Sequence, residues 1–384
     1  MSFVAIIAII VSLLITIYLG KRWQFWFNFE LTGYYQIAYW VVMIVAGLSF
    51  ILSKIFNGIS TYWLPLLGNV IFGLIICAIF ITLIFDTIRR LSKGRFSTNL
   101  LNKIIYIVCV VGLFIFGHEM AINPKIVHYQ VKIDKPANVD HLRLVQLTDI
   151  HVNELTTHKS IQQMIDKVNQ LDADFIVITG DTLDQRLKPF TDLGFDKQFK
   201  QLHAKHGTYI VFGNHEYLGT TQANNREDDI IKAFQQANMK VLKDDIVYLD
   251  DVGITLIGRD DLSSSRYDVT RASLADLTMF ADTTTPIILL DHQPKDLEEP
   301  ANLGVDLMIS GHTHRGQVFP INLVVAAMYK NSYGMYQNLE QHFTSIVSSG
   351  YGLWGPPIRL MTRSEIVVID ISFNNQQELT NSPQ

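Results

Sequence analysis

Four long apolar runs fill the first third of this chain and constrain its folding more than any other feature. They cover residues 2–20 (SFVAIIAIIVSLLITIYLG), 34–53, 62–85 and 104–122. Each suits the roughly 20 residues that a helix needs to cross the hydrocarbon core of a bilayer. Inside lipid a backbone must satisfy its own hydrogen bonds, so such runs are read as helices. Residues 1–123 are therefore expected to form a four-helix transmembrane region. A cleaved signal peptide is the competing reading of the first run. The lack of a basic n-region and of a small-residue cleavage site speaks against it.

The basic residues between the runs give an orientation. Lys21 and Arg22 follow the first run, and Arg89, Arg90, Lys93, Arg95 and Lys103 follow the third. Lys54 stands alone after the second run, and no Lys or Arg precedes the first. The positive-inside rule then puts the first and third loops in the cytoplasm, with the N-terminus and everything after residue 122 outside. A cell-membrane, multi-pass protein with an extracytoplasmic domain is the expectation. His118 and Glu119, near the outer end of the fourth run, are read as interfacial groups. Both cysteines, Cys77 and Cys109, lie in apolar runs, so the remainder is built without disulfides.

Composition changes near residue 123. The chain as a whole is 48% hydrophobic with 17% charged residues, but the later part has the mixed composition of a globular domain long enough to bury a core. Residues 124–141 read as a linker and entry strand, since HYQVKI alternates and prolines bracket it. Residues 142–373 read as the folded domain, and 374–384 as a polar, disordered tail. Short apolar strands are expected at 142–148, 174–180, 207–213, 253–258, 286–291, 305–310, 342–350 and 364–371. Helical patterns fall at 160–171, 192–205 and 227–238. The alternation implies an α/β fold whose sheets are covered by helices on both sides. Such sheets carry their chemistry at the carboxyl ends of strands. Residues 323–336 read as a buried helix in preference to a lipid-facing flap.

The strand ends repeat one theme. In order they offer Asp149-Ile150-His151, Gly180-Asp181 with Asp184, Gly213-Asn214-His215-Glu216, Asp291-His292-Gln293-Pro294 and Gly311-His312-Thr313-His314. Taken singly, a GD turn or a lone strand-end histidine has an ordinary structural explanation. Together they place Asp, Asn and His at one edge of a sheet, which is the donor mixture of a metal pair. Imidazole with carboxylate suits Mn²⁺, Fe or Zn²⁺, whereas Ca²⁺ prefers oxygen alone. Two cations about 3.5–4 Å apart need a bridging carboxylate and separate nitrogen ligands. The glycines at 180, 213 and 311 permit tight turns and close backbone approach.

The series DIH, GDTLD, GNHE, DHQP and GHTHRGQ resembles the calcineurin-like metallophosphoesterase superfamily, and most closely its membrane-anchored bacterial branch. The later SSGYGLWGPPIRLMTRSEIVVIDI is similar to that branch's C-terminal signature, so the resemblance spans about residues 142–371. It implies a four-layer α/β/β/α sandwich and metal-assisted hydrolysis of a phosphate ester or diphosphate bond. Carried over motif by motif, Asp149, His151 and His314 would hold one divalent ion. Asn214, His292 and His312 would hold the second, and Asp181 would bridge the two. His215 would be the catalytic acid beside the phosphate, and Asp184 would orient a ligand. Arg315 and Arg359 read as surface or packing residues in preference to phosphate contacts.

The implied substrate is a phosphorylated small molecule or lipid at the membrane surface: a phospholipid, a glycolipid precursor or a cell-envelope component. The competing class is a non-catalytic membrane sensor or assembly partner that binds phosphorylated ligands through the metal site. Nucleic acid is not expected, because the net charge is −5 and the globular part has no basic run to meet a polyanion.

Overall fold

The computed structural model describes residues 3–56, 62–218 and 226–375. The expected tail at 374–384 therefore lies, from residue 376, outside the described residues. The chain divides into two units, Met1–Met120 with Trp354–Ile358, and Ala121–Leu353 with Arg359–Gln384.

In the first unit the helices are α1 (Phe3–Phe27), α2 (Gly33–Gly47), α3 (Ser49–Ile55), α4 (Trp63–Leu91) and α5 (Leu100–Ile122). Among them α4 and α5 are long and apolar enough to cross a membrane. Residues 34–53 are not one straight helix, because α2 and α3 bend by 68° around Leu48. The cause is local: Gly47 and Ser49 flank the break, a pairing that weakens the helical ladder. A side chain at Gly47 would strike Thr16, and one at Gly68 would strike Ser53 and the Ser49 carbonyl. Small residues at these crossings let backbones approach closely where lipid offers no hydrophobic drive for association. Tyr106 accepts from Trp23 Nε1 at 2.7 Å and lies 2.8 Å from Thr82 Oγ1. His118 Nδ1 sits 2.8 Å from the Pro357 carbonyl, a structural tie within this unit.

The second unit holds twelve strands among the described residues. They are β1 (Lys125–Ile133), β2 (His141–Leu147), β3 (Phe175–Thr179), β4 (Thr208–Val211), β5 (Met239–Val241), β6 (Asp245–Leu249), β7 (Ile254–Gly258), β8 (Ile287–Leu290), β9 (Leu307–Ser310), β10 (Gly334–Asn338), β11 (Phe343–Val347) and β12 (Glu365–Phe373). One sheet runs β1-β12-β2-β3-β4-β5 and the other β10-β11-β9-β8-β7-β6. The strands β2 to β5 are mutually parallel, as are β7, β8, β9 and β11.

Alternate residues of these strands enter different apolar clusters, which explains why the strands read as continuous hydrophobic runs. Leu144, Val177 and Val211 of the first sheet share a cluster with Leu256, Leu290 and Ile309 of the second. Val145, Ile176 and Ile210 pack with Ile161, Ile165 and Val168 of α6 (His158–Asn169). Ile257, Leu289 and Met308 pack with Leu274 and Ala301 on the second sheet's other face. Residues from both sheets thus meet in one apolar cluster, while the alternate residues of each sheet pack with helical residues.

Three segments depart from the sequence reading. Residues 192–205 hold α8 (Phe195–Phe199), following α7 (Lys188–Asp192); Gly194 between the two, at φ 75°, breaks the helix. The edge strands β5, β6 and β10 carry half-exposed residues and so lack an apolar signature. Residues 323–336 are not one buried helix. The helix Ile321–Met328 has no buried residue, and Gly334–Asn338 is strand β10. An apolar run reads the same in sequence whether it faces a core or not.

Candidate metal centre

Five strand ends converge in the second unit. β2 leads to Asp149 and His151, β3 to Asp181, β4 to Asn214 and His215, β8 to His292, and β9 to His312 and His314. The parallel strands of both sheets thereby deliver their loops to one place. The turns are sharp. Asp149, His151, Asp181, His312 and His314 all take left-handed backbone, with φ between 47° and 71°. Asp and His tolerate this region better than most residues, and such conformations persist where surrounding structure holds them. Of the three glycines, Gly180 alone needs its positive φ, 86°. Gly213 and Gly311 serve close approach: a Cβ there would meet Asp181 Oδ1 and Thr148 Oγ1, respectively.

Three groups of potential ligand atoms result: Asp149 with His151 and His314, His151 with Asp181 and His215, and Asp181 with His292 and His312. Within each, the atoms lie within 4.8 Å of one another. His151 Nε2 and His314 Nε2 face each other at 2.9 Å, with Asp149 Oδ1 3.3 Å from His314. His292 Nε2 stands 3.2 Å from Asp181 Oδ2, 3.3 Å from Asn214 Oδ1 and 3.3 Å from His312 Nδ1. Asp181 Oδ2 also lies 3.9 Å from His151 Nε2. This carboxylate joins two of the groups. So many lone pairs pointed at one another, in a buried place, fit cations better than hydrogen bonds.

Neighbours fix the tautomers. The His292 Nδ1–H donates to the Thr179 carbonyl at 2.7 Å, which turns Nε2 toward Asp181. His215 Nδ1 donates to the Asp184 carbonyl, leaving Nε2 for proton exchange. The Asp184 carboxylate lies 3.7 Å from His151 Nδ1 and 3.6 Å from His215 Nδ1, so it can orient both rings. Such outer partners set the direction and basicity of ligating imidazoles.

Environment divides the histidines. Burial, reinforced by the charge of His215, pushes His151 down to about 3. Burial and His292 push His312 down to about 4, and burial with His151 carries His314 well below its ordinary value. Neutral imidazole is the form that ligates a metal. Burial opposes a proton on His215, but Asp181 and Asp184 outweigh it and raise its pKa. His292 is raised well above its ordinary value, against its burial, by Asp181. Its Nε2 is the atom that faces the Asp181 carboxylate.

Sequence reasoning missed Glu216. This buried carboxylate accepts backbone N–H bonds from Asp181 at 3.0 Å, Leu183 at 3.0 Å and Gly213 at 2.7 Å. It ties the β3 turn to the β4 turn. The signal was available, since an acid at the third helical position can accept from the N–H of the residue before the helix, which is one half of a capping box. Glu216→Ala would orphan three buried donors, at about 3 kcal/mol or more. An early melt of the globular unit is expected by calorimetry, and an unchanged midpoint would remove Glu216 from this role. Arg359 proves to be a packing residue. Fully buried, it donates to the carbonyls of Gly350 at 3.2 Å and Gly352 at 2.8 Å. Arg315 stacks on Tyr333, 4.1 Å from the ring centre.

Residues 142–316 match the family described as calcineurin-like phosphoesterase. An uncharacterized metallophosphoesterase of Helicobacter pylori is 31% identical over 294 residues, covering 76% of this chain and 76% of its own. One from Campylobacter jejuni is 28% identical over 86% of this chain and 87% of its own length. A transmembrane protein with metallophosphoesterase domain from Danio rerio is 29% identical over 80% of this chain and 74% of its own.

Proposed function

Since the chain belongs to the calcineurin-like phosphoesterase family and is a metal-dependent phosphoric ester hydrolase, we propose that it cleaves a phosphorylated lipid or glycolipid precursor at a membrane surface through a dinuclear centre. The observation that carries this reading is the sharing of Asp181 between two groups of ligand atoms. Asp149, His151 and His314 would hold one divalent ion (Mn, Fe or Zn), and Asn214, His292 and His312 the other, with Asp181 between. When bound, the ions supply activated water near neutral pH and offset charge on the phosphate oxygens. His215, its ring set by Asp184, delivers a proton to the leaving oxygen. The sheets are read as the inner layers of an α/β/β/α sandwich. Metal analysis with a turnover assay on bis(p-nitrophenyl) phosphate tests the reading. Bound metal without turnover of any phosphate ester would favour a sensor instead.

The lipid assignment rests on α13, defined as Ile321–Met328 after α9 (Asn214–Tyr217), α10 (Arg226–Gln236), α11 (Leu274–Thr278) and α12 (Glu298–Asn302). It follows the turn that carries His312 and His314. Its Leu323, Val324 and Met328 are exposed by 58%, 57% and 68%, an apolar face that water does not favour. Tyr329 at its end lies 6.2 Å from the His312 ring. An acyl chain on α13 would therefore continue from a phosphate at the histidines. Leu323→Glu with Val324→Glu is expected to slow hydrolysis of a long-chain lipid phosphate about tenfold, from lost apolar burial. Hydrolysis of bis(p-nitrophenyl) phosphate should stay unchanged. Equal loss on both substrates would assign α13 a structural role.

The chain is associated with a membrane through its apolar helices. We read α1, the α2–α3 pair, α4 and α5 as four spans with the catalytic unit outside the cytoplasm. Supporting this, basic residues of the first and third loops gather at one end of the helical unit: Arg22 and Arg89 both stack on Phe25, and Lys103 donates to the Phe27 carbonyl at 3.1 Å. Only Asn123 and Pro124 separate α5 from β1. Protease added to wall-stripped cells should digest the globular unit and spare the loop from Arg89 to Lys103. Protection of the globular unit until lysis would reverse the orientation.

A further inference from the structure

We infer that the facing ends of α1 and α4 form a receptor for the phosphate head group of an anionic phospholipid. The site lies wholly in the helical unit and shares no residue with the histidine-rich centre. It is a cavity of about 580 Å³ lined by Arg22, Phe25, Asp86, Arg89, Arg90 and Lys93, among others. Four cations face one carboxylate there, a net charge of +3 (4 − 1).

That carboxylate is already committed. Asp86 is buried and accepts from Arg22, from the Tyr18 hydroxyl at 2.8 Å and from Trp26 Nε1 at 2.9 Å. It therefore orients Arg22 and presents little free charge of its own. The Phe25 ring holds both the Arg22 and Arg89 guanidiniums, at 4.7 and 4.8 Å from its centre. Arg89 is further fixed by its bond to the Phe96 carbonyl at 2.7 Å. Arg22 Nε is a buried donor without an acceptor. Arg90 and Lys93 form no ion pair among the described residues.

Basic residues at helix C-termini are common, because they offset the helix dipole. That need is met by charges spread into solvent. It does not explain why two guanidiniums are held on one ring, where they repel each other unless an anion lies between. A phosphate meets Arg in a planar fork and Lys as a point charge, and this cavity offers both. Its place at the ends of membrane helices selects a lipid, since basic pockets between such helices take anionic head groups from the adjoining leaflet.

The test uses the full-length protein in nanodiscs of POPC with and without POPG, with native mass spectrometry counting retained POPG. Arg90→Gln with Lys93→Gln leaves the Asp86–Arg22 pair intact. Each basic residue is worth about fivefold in affinity, so the double variant should hold POPG about 25-fold more weakly. Arg90→Lys with Lys93→Arg keeps both charges and should bind as the unaltered protein does. Inorganic phosphate should leave POPG in place. Equal POPG retention by the Gln variant, or loss in the charge-keeping variant, overturns the proposal. Displacement of POPG by inorganic phosphate also overturns it, because the cavity would then serve a soluble anion.

Discussion

Asp181→Asn is expected to strip the protein of metal and abolish turnover. The substitution keeps the side chain's shape, and the Oδ1 that accepts the His215 backbone N–H at 2.8 Å can stay in place. What changes is the other oxygen, Oδ2, which lies 3.2 Å from His292 Nε2 and 3.9 Å from His151 Nε2. An amide nitrogen there presents hydrogens where a cation needs a lone pair, and the negative charge shared by both halves of the site is lost. Burial alone would raise this carboxyl, yet His292 and His215 hold it well below the usual carboxylate range. The site is therefore built around an anion at this point. Metal ions contribute several kcal/mol to such reactions, so about 10⁴-fold loss is expected at 1.36 kcal/mol per tenfold. Metal content by plasma mass spectrometry and turnover of bis(p-nitrophenyl) phosphate give the answer. Native values of both in the variant would end the bridging assignment.

His215→Ala should separate chemistry from ligation. Its raised pKa and its Nδ1 bond to the Asp184 carbonyl suit a proton donor. Yet its ring stands 4.5 Å from His151 and joins one group of potential ligand atoms with Asp181. A proton donor contributes about 10²–10⁴-fold to rate and little to metal retention. Turnover should accordingly fall by that factor while metal content stays near native. Loss of both ions would make His215 a ligand. Full activity would leave the leaving group protonated by water alone.

Much of the candidate site was legible in the sequence because its residues carry two marks. Each follows an apolar strand, and the histidines among them are of a type with little reason to stand in a tight turn. His312 and His314 are separated by one residue, yet His314 meets His151 and Asp149 while His312 meets His292. Which imidazole joins which group depends on φ values of 71° and 47° in consecutive turns, and no spacing rule encodes them. Arg359 shows the same limit. In sequence it is a cation near a glycine-rich loop, and only the fold reveals the Gly350 and Gly352 carbonyls at its guanidinium.

The sequence by itself determined the apolar helices, the alternating strands and the identity of the residues gathered at the strand ends. These follow from local composition and period, which each segment carries alone. The tertiary structure alone decided that the sheets share an apolar cluster, that Glu216 ties two turns together, and that α13 has no buried residue. It also decided that Arg22, Arg89, Arg90 and Lys93 line one cavity. Each of these depends on what lies across space from a residue, and a chain read along its length contains no record of which neighbours packing will supply.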